Sequence, residues 1–277
     1  MTPKFMIRQQ QFGPIGAASA GIRLNTLAQL ARHGSWQLEL AHDRPHHLFV
    51  WITRGQGIAL MDGARRGVGI HNALFLPARS LNAIDLGRQG FAQAITLPPD
   101  LALNLPTRPL HLRVRDVTAQ GEMTSLLESL QREQNAGRPH SQNAMEAYCR
   151  LIAIWMQRHT DMSEEPDTAA RRLMRGFFQR LVAPDAGVNV TVARHAEALE
   201  VTPTHLSRVC RAETGRTAAA LIAERAQHRA RMLLSETKVP VQDIARNLGF
   251  GSAAYFSRFL QQRTGASPSE LRRRARA

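Results

Sequence analysis

The sequence has few of the marks of a secreted or membrane-spanning protein. Two cysteines, Cys149 and Cys210, among 277 residues are too few for a disulfide framework. The start, MTPKFMIRQQQ, has no apolar core followed by a small-residue cleavage site, so a reducing compartment is expected. The longest strongly apolar stretch, LIAIWM from Leu151, falls far short of the ~20 residues that cross a bilayer, which argues against insertion but not against peripheral contact. Signatures of catalysis are also missing. GQG and GVG read as turns rather than phosphate-cradling loops, and no serine or cysteine nucleophile motif occurs. Cys149 lies in an amphipathic helical pattern and Cys210 in an inward stripe, so neither needs a reactive role.

What the chain does have is apolar residues, 43%, sufficient for two packed domains, and positive charge, formally +14. The charge is uneven. Residues 169–277 hold 19 arginines and lysines against 8 acidic residues, whereas residues 1–168 hold 17 against 14. A basic domain of this kind favours a polyanion, either nucleic acid or an acidic membrane surface, and solubility alone is the plain alternative.

From about Trp36 to Pro99 short apolar runs alternate with turn residues: WQLELA, HLFVWITRG, GIALMDG, VGIHNALFLPA, NAIDLG and FAQAITLPP. They predict strands in a small antiparallel barrel or sandwich, with Asp62-Gly63 as a hairpin turn. Past Pro98-Pro99 the period becomes helical. GEMTSLLESLQREQ and QNAMEAYCRLIAIWMQRH predict two amphipathic helices that either cover the β domain or meet a second subunit. TDMSEEPDT, Thr160 to Thr168, is polar, acidic and proline-bearing, and predicts a linker at the point where the charge changes.

The basic half contains an internal repeat. HLSRVCRAETG (His205 to Gly215) and YFSRFLQQRTG (Tyr255 to Gly265) both run apolar residue, Ser-Arg, five residues, Thr-Gly, with Ser207 and Ser257 fifty positions apart. A short helical stretch with an Ala and a Leu three apart precedes each copy, Ala196/Leu199 and Ala245/Leu248. Each copy therefore predicts helix, tight turn, helix, closed by a glycine. In the first second-helix Leu206, Val209 and Cys210 face in, leaving Thr204, Ser207, Arg208 and Arg211 outside. In the other Phe256, Phe259 and Leu260 face in, leaving Ser252, Ala253, Ser257, Arg258 and Gln261 outside. Short polar and basic faces on helices suit base edges and phosphates in a major groove. TAAALIAERAQHRARMLL from Thr217 predicts a long helix joining the units. If both enter one face of a duplex, their second helices sit about one helical turn, roughly 34 Å, apart.

VQDIARNLGFGSAAYFSRFLQQRTGASPSELRR resembles the late signature of the AraC/XylS family of bacterial transcription regulators, through Ile244-Ala245, Gly249-Phe250, Tyr255-Phe256-Ser257-Arg258, Gly265 and Ser267-Pro268. HAEALEVTPTHLSRVCRAETG and Leu233-Leu234 agree with the family too, so the resemblance covers about residues 170–274. Cys210, Ala218 and Leu271 depart from it, all at packing positions. The resemblance implies an α+β protein: a cupin-like β-barrel sensor over 1–115, a helical dimerisation segment over 116–160, a linker over 161–168, and an all-α DNA-binding domain over 169–277 with two helix-turn-helix units joined by a long helix. It places DNA contacts on Thr204, His205, Ser207, Arg208 and Arg211, then on Ser252, Ala253, Tyr255, Ser257 and Arg258, with Arg272 to Arg274 on the duplex or its phosphates. Gly251, Ala253 and Ala254 donate no side-chain hydrogen bond, so the first helix is expected to supply most base discrimination. Phe250, Tyr255 and Phe256 are expected to lock the second unit together. Other implied properties are double-stranded DNA as partner, an unidentified small-molecule effector, a homodimer, contact with RNA polymerase, no membrane, and a cytoplasmic, nucleoid-associated location.

Candidate effector residues in the β domain are Trp36, Phe49, Trp51 and Phe75 as apolar lining, with Phe91, and His47, Arg54 and Arg79, with His71, as polar anchors; ordinary core is the plain alternative for each aromatic. The metal-binding spacing of many cupins, two histidines one residue apart followed by a glutamate, is absent from HDRPHHLF, so no metal and no cofactor is expected. Two rivals stand beside the regulator: a metal-dependent cupin enzyme fused to a DNA-binding domain, and an architectural protein that coats DNA without preference.

Overall fold

The computed structural model describes residues 21–160, 167–183 and 190–276. Most of the 161–168 linker expected from the sequence, and the first twenty residues of the expected sensor domain, lie outside these. The chain opens with β1 (Arg23–Thr26), α1 (Leu27–Leu30) and α2 (Trp36–Glu39). Seven strands follow: β2 (His47–Arg54), β3 (Gln56–Met61), β4 (Ala64–Gly69), β5 (Asn72–Leu76), β6 (Ala83–Asp85), β7 (Phe91–Leu97) and β8 (Leu110–Arg113). Beyond them the elements among the described residues are all helices: α3 (Val117–Ala136), α4 (Ser141–His159), α5 (Ala169–Val182), α6 (Val192–Glu197), α7 (Pro203–Thr214), α8 (Ala218–Glu236), α9 (Val241–Asn247), α10 (Ala253–Thr264) and α11 (Pro268–Arg274).

The strands form two sheets, in the orders β1-β7-β2-β5-β8 and β4-β3-β6, and among the described residues they do not close into the barrel expected from the resemblance. The chain crosses between the two sheets four times, and the first crossing, from β2 to β3, has a local device. The register of β2 against β7 slips between Ile52 and Arg54, and Gly55 follows with φ +87°, turning β3 out of the first sheet. An added Cβ at Gly55 would lie 2.8 Å from Gly90 Cα, so this crossing needs glycine for room as well as for φ. Asp62-Gly63 makes the two-residue β3–β4 turn, with φ 49° and 77° and Met61 paired to Ala64.

Side chains of β2 alternate between the faces of the five-stranded sheet. Leu48, Val50 and Ile52 meet Ala59, Met61 and Ile84 of the smaller sheet, while Phe49 and Trp51 point the other way, into a core with α3 and α4. The N-terminal part is thus three layers: small sheet, large sheet, helical pair. The α3–α4 stripes bury Met123, Leu127, Leu130, Ile152 and Trp155 on the large sheet. WQLELA, expected as a strand, is instead the single turn α2. Trp36 Nε1 donates to the His33 carbonyl at 2.7 Å, and the segment crosses towards α8 rather than pairing with a strand.

Two cores complete the molecule. Met174, Phe177, Leu206, Cys210 and Leu221 pack with Ala41, Leu60, Leu81 and Ala83 of the N-terminal part. Leu233, Ile244, Leu248, Phe250, Phe256 and Leu260 form a separate core with no residue from the N-terminal part.

Candidate nucleic-acid interface

The two C-terminal units repeat in atomic detail. Thr202 and Ser252 are the N-caps of α7 and α10, accepting from the backbone N–H of His205 and of Tyr255, each at 3.1 Å. Gly215 and Gly265 end these helices with φ +74° and +70°. Before each glycine a threonine makes the same bonds: Thr214 Oγ1 donates to the Cys210 carbonyl and accepts from Arg216 N–H, as Thr264 Oγ1 does with Leu260 and Ala266. Thr217 and Ser267 then cap α8 and α11. The two turns differ at one point. Val201 N–H donates to Ala196 and Phe250 N–H to Ala245, a five-residue span in both, but only the second unit has an extra residue, Gly251, before its cap. Gly251 is exposed, with nothing within 4 Å of where its Cβ would stand.

The faces expected to meet DNA are open to solvent. On α7, Thr204, His205, Arg208 and Arg211 are exposed and Ser207 half-buried, while Leu206 and Cys210 are fully buried behind them. The Arg208 guanidinium lies 3.2 Å from His205 Nδ1, a bond in which Arg208 donates, so two of these side chains support one another one turn apart. On α10, Tyr255 and Arg258 are exposed and Ala253 and Ser257 half-buried. Ser252 is exposed, and as N-cap its hydroxyl still has a hydrogen to donate. Phe250 does lock this unit, its ring 5.1 Å from both Phe256 and Phe259, but Tyr255 stays 53% exposed with one side against Phe250. Tyr255 is therefore available to a partner rather than being core.

Arg272 departs from its expected place on the duplex. Its guanidinium turns inward and donates to the Val239 carbonyl, because α11 packs back on α8 and the loop after it leaves that carbonyl without a helical partner. Arg276 does the same for the Thr237 carbonyl at 3.1 Å. Arg273 and Arg274 remain exposed.

The candidate effector residues do not converge. Phe49, Trp51 and Phe75 are each 1% exposed in the core under α3 and α4, Trp51 meeting Trp155 edge-on at 6.1 Å. His47 stacks on Phe75 and accepts from Ala78 N–H at 3.0 Å. Arg54 is exposed and donates to the Gln89 carbonyl, and Arg79 sits in a turn with φ +57°. Trp36 belongs to another place altogether: the Arg231 guanidinium of α8 lies 4.1 Å over its ring.

That place is a seam between the N-terminal part and α8 that no local pattern of residues signals. His42 and His228 stack across it at 4.0 Å, 12° from parallel. Arg225 Nε donates to Asp43 Oδ1 at 2.9 Å, and Arg216 bridges Glu224 at 2.5 Å and the Glu39 carbonyl. Burial holds both histidines neutral, pushing His228 down to about 3 and His42 well below its ordinary value, and Arg44 adds to this in each case. Among the described residues no group of three or more His, Cys, Asp or Glu side chains could hold a metal ion, and no helix is long and apolar enough to cross a membrane.

Comparison with known proteins bears on the two C-terminal units. Residues 195–274 match the model of a family described as a helix-turn-helix domain. The arabinose operon regulatory protein of Escherichia coli K12 is 36% identical over 87 residues, 31% of this chain and 30% of that protein, and its Salmonella typhimurium counterpart is 36% identical over 81 residues, 29% of each. The match thus spans less than a third of those relatives. Among solved structures, apo ToxT of Vibrio cholerae aligns with 14% identity and a TM-score of 0.43 over 92% of this chain and 97% of that one. Residues 195–274 thus form a helix-turn-helix domain similar to the part of the arabinose operon regulatory proteins that they match, in the region where the sequence carries the AraC/XylS signature.

Proposed function

We propose that the chain is a transcription regulator that binds double-stranded DNA with α7 and α10 in successive segments of the major groove. The observation that carries this reading is the pair of units with equivalent caps, threonine turns and closing glycines, whose outward faces are both exposed and basic. The strut between them, α8, has 19 residues and so is ~28 Å long, of the order of one turn of duplex. Thr204, His205, Ser207, Arg208 and Arg211 read bases from the first unit. Ser252, Ala253, Tyr255, Ser257 and Arg258 serve the second, which works more through phosphates and thymine methyl groups. Arg273 and Arg274, rather than Arg272, supply the phosphate contacts of the tail.

In this reading a small-molecule effector acts through the N-terminal part by changing how firmly it holds the first unit and α8. A homodimer is part of the proposal, supported by Leu151 and Ile154, 48% and 38% exposed on the outer side of α4. The test is competition between genomic fragments selected by the purified protein and random duplex at fixed salt. A regulator prefers its fragment by ~10³-fold or more. A ratio near one would leave only an architectural DNA-coating protein.

A further inference from the structure

The seam encloses a cavity of about 350 Å³. Asp43, Arg44 and His46 wall it on the N-terminal side, and Arg225, His228 and Arg229, three and four residues apart on one face of α8, wall it on the other. Five arginines and two carboxylates line it; Arg23 and Arg32 are exposed, Arg32 meeting Glu236 at 3.8 Å, which leaves the more buried Arg44, Arg225 and Arg229 with one lining carboxylate, Asp43. Asp43 is already bound to Arg225. Arg44 has only neutral hydrogen-bond partners, Asn82 Oδ1 at 2.5 Å and the Gln37 carbonyl at 3.5 Å, and burial lowers it to about 10. Arg229 is lowered for the same reason, and His46 Nδ1 is buried with no partner. Cations gathered out of water with too little opposing charge are costly to the fold unless a ligand supplies that charge.

We propose that this cavity binds a compact dianion, a phosphate group or a short dicarboxylate, which bridges Arg44 of the N-terminal part to Arg225 and Arg229 of α8. Guanidinium groups offer such an anion paired donors in the geometry it accepts. The walls also say what does not fit. Leu30, Pro45 and Met232 are the apolar side chains among seventeen that line the cavity, so a long methylene chain would strip water from polar groups without satisfying them. Bound here, the anion ties the N-terminal part to the helix that sets the spacing of the two recognition helices. That regulatory consequence rests on the DNA-binding reading above; the anion site itself does not.

The experiment titrates the full chain, without DNA, with inorganic phosphate, succinate and octanoate in separate arms at constant ionic strength in chloride, following heat and melting temperature. Saturable binding of phosphate or succinate is expected, and which of the two binds identifies the source. Arg229→Gln should weaken it about tenfold or more, as loss of a charge-assisted bond does, and Arg229→Lys should recover part of the loss. The melting curve of each variant in chloride alone checks that it is folded. No saturable binding of either dianion, binding unaltered by Arg229→Gln in a folded variant, or binding of octanoate alone overturns the inference. Parallel DNA competition separates the two readings: DNA preference without anion binding defeats this site only, and anion binding without DNA preference defeats the regulator only.

Discussion

The two helix-turn-helix units share caps, turns and closing glycines, yet their surroundings differ. The first completes its core with Ala41, Leu60, Leu81 and Ala83 from the β domain, and the tip of the β3–β4 hairpin presses on α5 so closely that a Cβ at Gly63 would come 2.7 Å from Met174 Cβ. The second is closed by its own residues, the C-terminal end of α8 and α11. The lesson is that two local sequences of one pattern give one unit that packs on the N-terminal part and one that does not. Whatever alters the seam should reach α7 and α8 first, and α10 only through α8.

The largest effect that separates the two units is expected inside the second. Phe256 is completely buried, so Phe256→Ala should cost about 3–5 kcal/mol. Hydrogen exchange should then show protection lost over residues 241–274 and kept over 169–182. Loss in both would mean that the units share a single core. At the seam, Asp43→Ala leaves the Arg225 guanidinium, 7% exposed, without its carboxylate, and should cost about 3 kcal/mol of docking, the low end for a buried pair because Asp43 keeps 16% exposure. Faster exchange in α2 and α8 with α10 unchanged is the expected pattern, and a change in α10 alone would contradict it.

Acid should act on the same side. His42 and His228 are held neutral in the docked state and would protonate near the ordinary 6.5 once exposed, so docking is at full strength above pH ~6.5 and weakens as pH falls from there towards about 3. The slope is about 1.4 kcal/mol per pH unit for each histidine. The positive Arg44, Arg225 and Arg231 around the rings deepen the effect, and their single bound carboxylate, Asp43, opposes it. His42→Asn in a domain-separation measurement by small-angle scattering should flatten the profile; an unaltered profile would place the titration elsewhere.

On DNA the comparison predicts unequal arginines. Arg208→Ala should lose ~1–3 kcal/mol on the preferred site and relax selectivity, whereas Arg258→Ala should weaken preferred and random duplex alike. Equal behaviour of the two would erase the division of labour between α7 and α10. The smallest effect is expected at the tail: replacing Arg273 and Arg274 with glutamine should lower the salt slope of binding by roughly 1–2, and replacing Arg272 should leave the slope unchanged while lowering stability, through the lost bond to the Val239 carbonyl.

How much was legible follows from the range of the interactions. The second helix of each unit was readable because Ser-Arg, the Leu206/Cys210 and Phe256/Leu260 stripes and the Thr-Gly ends act within one turn of helix. The outward set followed from the same period. Arg272 was misplaced because three arginines in a row look alike until the neighbouring loop shows which carbonyl lacks a donor. For the aromatics of β2 and β5, effector lining stood beside ordinary core because alternation tells that a strand has two faces, not which layer covers each. α3 and α4 cover the face that Phe49, Trp51 and Phe75 occupy.

The seam had no signal at all. His42 lies 186 residues from His228, and Asp43 182 from Arg225, separations at which no periodicity or motif operates. Local sequence suffices for the two helix-turn-helix units, since caps, stripes and turns are short-range and recur within each copy. Which unit shares a core with the β domain, and where arginines from distant segments come to line one cavity, depends on packing, because those contacts exist only once the segments have met.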